Sequence, residues 1–191
     1  MMNDTKIDVM TAIYGRRAIR AFTGERLDTQ TIEKLIGAAI QAPNYMGLQR
    51  WAFAIVEGAD RLRGFSAEAK QAFVPPSHLH VSEHARSTLN DPNVNIFHDA
   101  PALIVICATD DDPQSVEDCS LAAQNLMLAA YAAGLGTCPI GFSRPWLRLA
   151  ETKKRLGIPD AYVPAFPLVV GHPAEHPDSP GRKAPQIFLT A

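Results

Sequence analysis

The chain has 191 residues, 47% of them hydrophobic and 20% charged, with a formal net charge of -2, which favours one globular domain with a core of its own. That charge, with no long basic run, excludes a general attraction to nucleic acid, and no apolar run reaches the roughly 20 residues of a membrane span. The opening MMNDTKIDVM does not read as a signal peptide, and Cys107, Cys119 and Cys138 read as reduced, buried thiols of a cytoplasmic protein.

Thr5 to Tyr14 forms a short helix with Ile7, Met10 and Ile13 on one side. Arg16, Arg17 and Arg20 follow within five residues. In an extended segment Arg16, Ala18 and Arg20 share one side. Two readings stay open at this point: a phosphate clamp, because guanidinium groups pair with phosphate in a fork geometry, or surface arginines held by carboxylates such as Glu25.

Asp28 caps a helix from Thr29 to Ala42, whose apolar stripe is Ile32, Leu35, Ile36 and Ala39. Pro43 ends it. The loop Pro43 to Trp51 mixes Asn44 and Gln49 with Tyr45 and Gly47, a composition that either lines a flat aromatic ligand or simply connects helix to strand. Trp51 to Glu57 is a strand. Asp60 to Phe73 is an amphipathic helix and Ser77 to Leu89 a second, polar one. His80 and His84 share its spacing, but no ligand cluster elsewhere matches them, so no metal site is expected. Asn90 to Asn95 is polar loop.

Ala102 to Ala108 (ALIVICA) is a strand buried on both faces. The acids Asp110, Asp111 and Asp112 before Pro113 mark a solvated turn. From Glu117 to Gly136 runs the helix around which the chain is organised. Between Leu121 and Ala133 only Gln124 and Asn125 interrupt apolar or small residues, so it belongs inside the protein or against a second copy. Glu117 and Asp118 suit its positive end, and Gly134 its left-handed stop. Gly134-Leu135-Gly136 is no dinucleotide fingerprint, since it follows a helix and Pro139 stands where glycine is required. Ser143 caps a helix to Leu156, closed by Gly157. Tyr162 to Val170 is a last strand, confined by Pro164 and Pro167 to an edge or an irregular section. A proline-rich tail, residues 174–191, carries the basic pair Arg182-Lys183.

In order, these segments resemble the nitroreductase family of flavin-dependent oxidoreductases. The resemblance rests on Arg16-Arg17-Ala18-Ile19-Arg20, on Ala42-Pro43 with Asn44, Gln49 and Trp51 in frame, and on Ala100-Pro101. It rests further on the helix from Asp118 to Gly136 with its Gly-Leu-Gly end, on Pro139-Ile140-Gly141, and on Gly171-His172-Pro173. It covers residues 9 to 184.

The resemblance implies an α+β fold with a mixed, mostly antiparallel sheet flanked by helices around the central apolar helix. It implies one domain over residues 1–191 whose extended tail contributes to the site and to an intertwined homodimer. FMN would be the cofactor, shared between subunits, with NADH or NADPH as hydride donor and a nitroaromatic or quinone-like acceptor in a ping-pong scheme. The implied FMN-binding residues are Arg16, Arg17, Ala18 and Arg20; Pro43, Asn44, Tyr45, Gly47 and Gln49 from the partner's loop; Pro139, Ile140 and Gly141 along the ring; and Arg182 and Lys183. No side chain is expected as nucleophile, because a flavin carries the chemistry. The sequence departs from the family at Ala18, Gly47 and Arg50, where Ser, Asn and Pro are usual. These departures leave Tyr45 and Met46 to shape the acceptor pocket. The same fold also serves dehalogenation, dehydrogenation and flavin breakdown, and a non-catalytic flavin-binding dimer is the reading from another class.

Overall fold

The computed structural model describes residues 7–74 and 82–189. His80 and the side chain of His84 lie outside the described residues.

Four strands pair in the order β1-β2-β4-β3, all antiparallel: β1 (Trp51–Glu57), β2 (Ala102–Ala108), β3 (Gly136–Pro139) and β4 (Val163–Gly171). The parallel component is a single bridge between Ala18 and Thr137. β2 has strands on both sides and helices on both faces, which explains its unbroken apolar run. Its even positions, Ile104 and Ile106, pack with Leu35 and Leu126 on one face. Its odd positions, Leu103 and Val105, pack with Leu62, Phe97, Trp146 and Leu147 on the other. The helices of the first face are α2 (Thr29–Ala39) and α5 (Pro113–Ala132), and those of the second are α3 (Ala59–Gln71) and α6 (Arg144–Leu147). The result is a sheet between two helical layers. Removing a buried leucine from either layer, such as Leu126, costs about 2–5 kcal/mol.

The organising helix starts earlier than its acids suggest. Asp112 caps α5 by accepting from the Gln114 N–H at 3.0 Å, with Pro113 in the first turn. Glu117 and Asp118 therefore lie inside the helix, and Asp118 is buried. At the far end Gly134 has φ 75°, Leu135 N–H donates to Ala130 O at 2.8 Å, and Gly134 N–H to Tyr131 O at 3.0 Å. This is the paired closure of a helix on a left-handed glycine. Within one chain α5 is not covered all round: Leu121 is 45% exposed and Gln124 is exposed.

Two further boundaries differ from expectation. α2 stops at Ala39, four residues before Pro43, in a tight turn where Gln41 and Ala42 donate to Ala38 and Ala39 carbonyls. The helix expected from Ser143 to Leu156 breaks into α6 and α7 (Ala150–Leu156) at Leu149, whose ψ is 136°. The break seats Trp146 and Leu147 in the core, and Ser143 donates its hydroxyl to Ile140 O at 2.8 Å instead of capping. β4 is an interior strand, and its prolines sit where the sheet allows them. Pro164 lies at the register shift opposite Cys107, and Pro167 lies just past the end of β3, where its carbonyl accepts from Ile140 N–H. The remaining helices, α1 (Val9–Gly15, capped by Asp8) and α4 (Glu83–Asn90), lie outside the two central layers' cores. From Ala174 to Leu189 the tail has no regular structure.

Candidate functional site

The arginine segment is held by backbone on both sides. α1 ends at Arg16, whose ψ of 134° turns the chain extended. Ala18 then bridges Thr137 of β3, and Ile19 N–H donates to Thr137 O at 3.0 Å. Phe22 bridges Pro173, while Thr23 and Ala174 exchange hydrogen bonds with His172 and Ala21. Gly136 makes the approach possible, since a Cβ there would lie 2.6 Å from Ile19 Cγ1. The glycine that ends the family-like helix motif thus admits the strip carrying the arginines.

Around this strip lies a cavity of about 410 Å³ lined by Arg16, Arg17, Ala18, Arg20, Pro139 and Arg182 among others. The tail closes it with Pro177, Asp178 and Pro180. Arg17 is braced on backbone, donating to Tyr14 O at 2.7 Å and Arg16 O at 2.9 Å, and its buried Nε has no partner. None of the ion pairs among the described residues involves these four arginines. The alternative of surface arginines satisfied by carboxylates such as Glu25 is therefore not what the fold builds. Burial, then Arg182 and Arg17, lower the pKa of Arg16. Four cations that form none of these ion pairs, with Asp178 as the one acid in the same lining and one guanidinium carrying an orphaned donor, fit a small dianion such as a phosphate monoester.

A second cavity, about 510 Å³, shares Arg20 and Pro139 with the first. Its walls are Ile96, Cys138, Ile140, Phe142 and Ala85, with Thr88, Gly141 and His98 also facing it. A cationic end opening beside an apolar space suits an aromatic phosphate ester. Of the three residues expected along the ring, Pro139 has no N–H and Ile140 donates to Pro167 O at 2.9 Å. That narrows the backbone donor to Gly141.

His98 and Asp99 both have left-handed backbone, with φ 57° and 56°, a conformation costing non-glycine residues roughly 1–2 kcal/mol each. The turn is secured at Asp99, which accepts from Asn95 Nδ2 at 2.9 Å and from Arg63 Nη2 at 2.7 Å. Burial first, and Arg20 second, push the His98 pKa down to about 4. Sequence reading missed His98. Its only signal was a histidine directly before Asp99-Ala100-Pro101 at a strand entrance.

The loop from Pro43 to Gln49 is elsewhere. Tyr45 N–H donates to both Asp118 oxygens at 3.0 and 3.1 Å, and Gln49 N–H to Asn44 Oδ1 at 2.9 Å. Met46, Gly47 and Gln49 all have positive φ. Pro43, Asn44, Tyr45, Gly47 and Gln49 line neither cavity of their own chain, and neither does Lys183. The thiols are poor nucleophiles: burial raises Cys107 to about 11 and Cys119 to about 12. Burial also raises Cys138. Among the described residues no group of acids, histidines and cysteines suits a metal ion, and no helix is long and apolar enough to cross a membrane.

A model of the Nitroreductase family matches residues 13–172. A protein of Archaeoglobus fulgidus, provisionally described as an NADH dehydrogenase/NAD(P)H nitroreductase, is 30% identical over 90% of this chain and 88% of its own. An FMN reductase (NADPH) of Bacillus subtilis is 28% identical over 91% of this chain and 67% of its own. A nitroreductase with bound FMN from Bacteroides fragilis superposes with a TM-score of 0.81 at 21% identity, covering 97% of this chain and 100% of that one. At that identity the likeness is one of fold.

Proposed function

The chain belongs to the nitroreductase family, and from that premise we propose that it is an FMN-dependent NAD(P)H oxidoreductase acting on nitroaromatic or quinone-like acceptors. The observation that carries the reading is the pairing of two cavities: four arginines without carboxylate partners around one, and an apolar space beside it that shares Arg20 and Pro139. The FMN phosphate carries close to two negative charges near neutral pH. Arg16, Arg17, Arg20 and Arg182 supply the matching cations, and the Arg17 Nε gains the partner it lacks. Ala18 offers no hydroxyl, so this chain relies on guanidinium charge at that point.

When bound, FMN supplies hydride acceptance from NAD(P)H and electron delivery to the acceptor. The protein's part is binding, orientation and electrostatics. Ile96, Ile140 and Phe142 exclude water from one side of the ring space. The Gly141 N–H is a fixed donor that costs no reorganisation when negative charge develops nearby. Arg20, between the two cavities, favours the more negative, reduced form. The donor and the acceptor use the same space in turn, which is the structural meaning of a ping-pong scheme.

A second subunit completes the site in this reading. Its support is apolar surface left open on one chain: Val9, Met10 and Tyr14 on α1, Leu121 on α5, and Phe188 in the tail, which is 90% exposed. The loop around Tyr45 and Met46, anchored on Asp118 of α5, then lies over the partner's flavin and shapes the space for the acceptor. Dimerisation is checked by light scattering at micromolar concentration, where a monomer counts against it.

The first test of the reading is the visible absorption spectrum of the purified protein, before and after anaerobic NADPH. A yellow protein that bleaches is the expected result. A colourless protein that takes up no added FMN would sink the proposal.

A further inference from the structure

We propose that His98 is a hydrogen-bonding contact of the flavin ring, sharing with Arg20 the polar end of the cavity formed by Ile140, Gly141 and Phe142. The inference rests on the flavin reading above and adds a residue that the family motifs do not include. Four observations carry it.

His98 lines that cavity, and apart from Arg20 it is the only nitrogen-bearing side chain among the described residues of its lining. Its side chain is presented by two successive left-handed residues. Such a turn is kept only where its surroundings enforce it, and here they do: Asp99 is clamped by Asn95 and Arg63, and His98 N–H donates to Asn95 O at 3.0 Å. The clamp acts on Asp99 and leaves the imidazole facing the cavity. Third, burial first and Arg20 second favour a neutral ring, with Asp99 opposing them. Arg20 approaches from the strip beside β3. Asp99, on the same turn, is engaged by Arg63. Cys138 on β3 is buried with its thiol protonated, and α4 contributes the uncharged Ala85 and Thr88. Fourth, a neutral imidazole has one donor and one acceptor nitrogen, which matches a ring edge carrying both kinds of group. It adds directional hydrogen bonding without a second cation beside Arg20. The two side chains thereby divide the work, charge from Arg20 and orientation from His98.

The test is FMN affinity and the bound flavin's absorption spectrum, measured on the apoprotein reconstituted with FMN. Asparagine tolerates left-handed backbone, so His98→Asn keeps the turn but withdraws the reach of the imidazole. His98→Gln restores reach and a donor. The expected result is a Kd raised about tenfold in His98→Asn, the loss of one net hydrogen bond, with a displaced visible band. In His98→Gln both return most of the way to wild type. The melting temperature of the FMN-free variants reports separately on folding.

If His98→Asn binds FMN with wild-type affinity and spectrum, the assignment is overturned. It is equally overturned if only the KM for the acceptor changes, because His98 then faces the acceptor. A wild-type protein that binds no FMN gives a different signature and removes the flavin reading itself.

Discussion

Two sets of arginine in this molecule stand in contrast. Arg50, Arg63 and Arg155 each have carboxylate partners: Arg50 reaches Asp110 at 3.2 Å and Asp112 at 3.4 Å, Arg63 reaches Asp99 at 2.7 Å, and Arg155 reaches Glu68 at 2.5 Å while lying over the Phe65 and Trp146 rings. Arg16, Arg17, Arg20 and Arg182 gather round one cavity and have no ion pair among the described residues. The first set ties loops and helices together. In the second set burial first, and then the neighbouring Arg182 and Arg17, lower the pKa of Arg16. The difference teaches that the same side chain is structural or functional according to whether the fold supplies its counter-charge.

The sharpest way to break this comparison is Arg16→Ala combined with Arg182→Ala. Losing two charge-assisted contacts at ~1.5–3 kcal/mol each raises the Kd for FMN at least a hundredfold, while the FMN-free protein keeps or gains thermal stability. Titration of fluorescence quenching and a melting curve without FMN measure the two halves. An unchanged Kd would place these arginines with the structural set.

The next effect is on acid stability and belongs to the same unpaired region. In the folded protein His98 titrates at about 4, below its ordinary 6.5, so the unfolded chain binds the extra proton between those values. Stability therefore falls as pH falls from 6.5 towards 4, and below 4 this group causes no further loss. The prediction is that the urea midpoint drops more steeply across that window in wild type than in His98→Asn. Parallel curves would count against it.

Within the paired set the effects are smaller. Arg155→Ala removes an ion pair whose side chains are 40% and 46% exposed, and so screened, together with its stacking on two rings. The expected cost is on the order of 1 kcal/mol by urea denaturation, with FMN affinity unchanged. Arg50→Ala should cost still less, a few tenths of a kcal/mol. Loss of FMN binding in either variant would blur the division between the two sets.

Much of the fold was legible because local pattern and burial agree. The apolar run of β2, the Asp28 cap, and the Gly134 stop each have a short-range cause visible in the residues themselves. The misreadings share a different cause. Glu117 and Asp118 looked like helix-start acids, but Asp112 and Pro113 had already capped the helix, leaving Asp118 to anchor Tyr45 across 73 positions. The prolines of β4 allowed an edge or an irregular section, and the structure takes the second: a register shift and the end of β3 make room for them inside the sheet.

What the sequence by itself determined is the set of elements, the family and the arginine-rich strip, because caps, periodicity and ordered motifs are encoded within a few residues of one another. What only the tertiary structure decided is which charges are left without partners and what stands opposite them. Arg182 meets Arg16 across 166 residues, and His98 faces Ile140 across 42. The first encounter depends on the bridge of Ala18 to Thr137 and on the space that Gly136 leaves for Ile19. Pairing of charges is a property of distance in the folded chain, and no local pattern carries that distance.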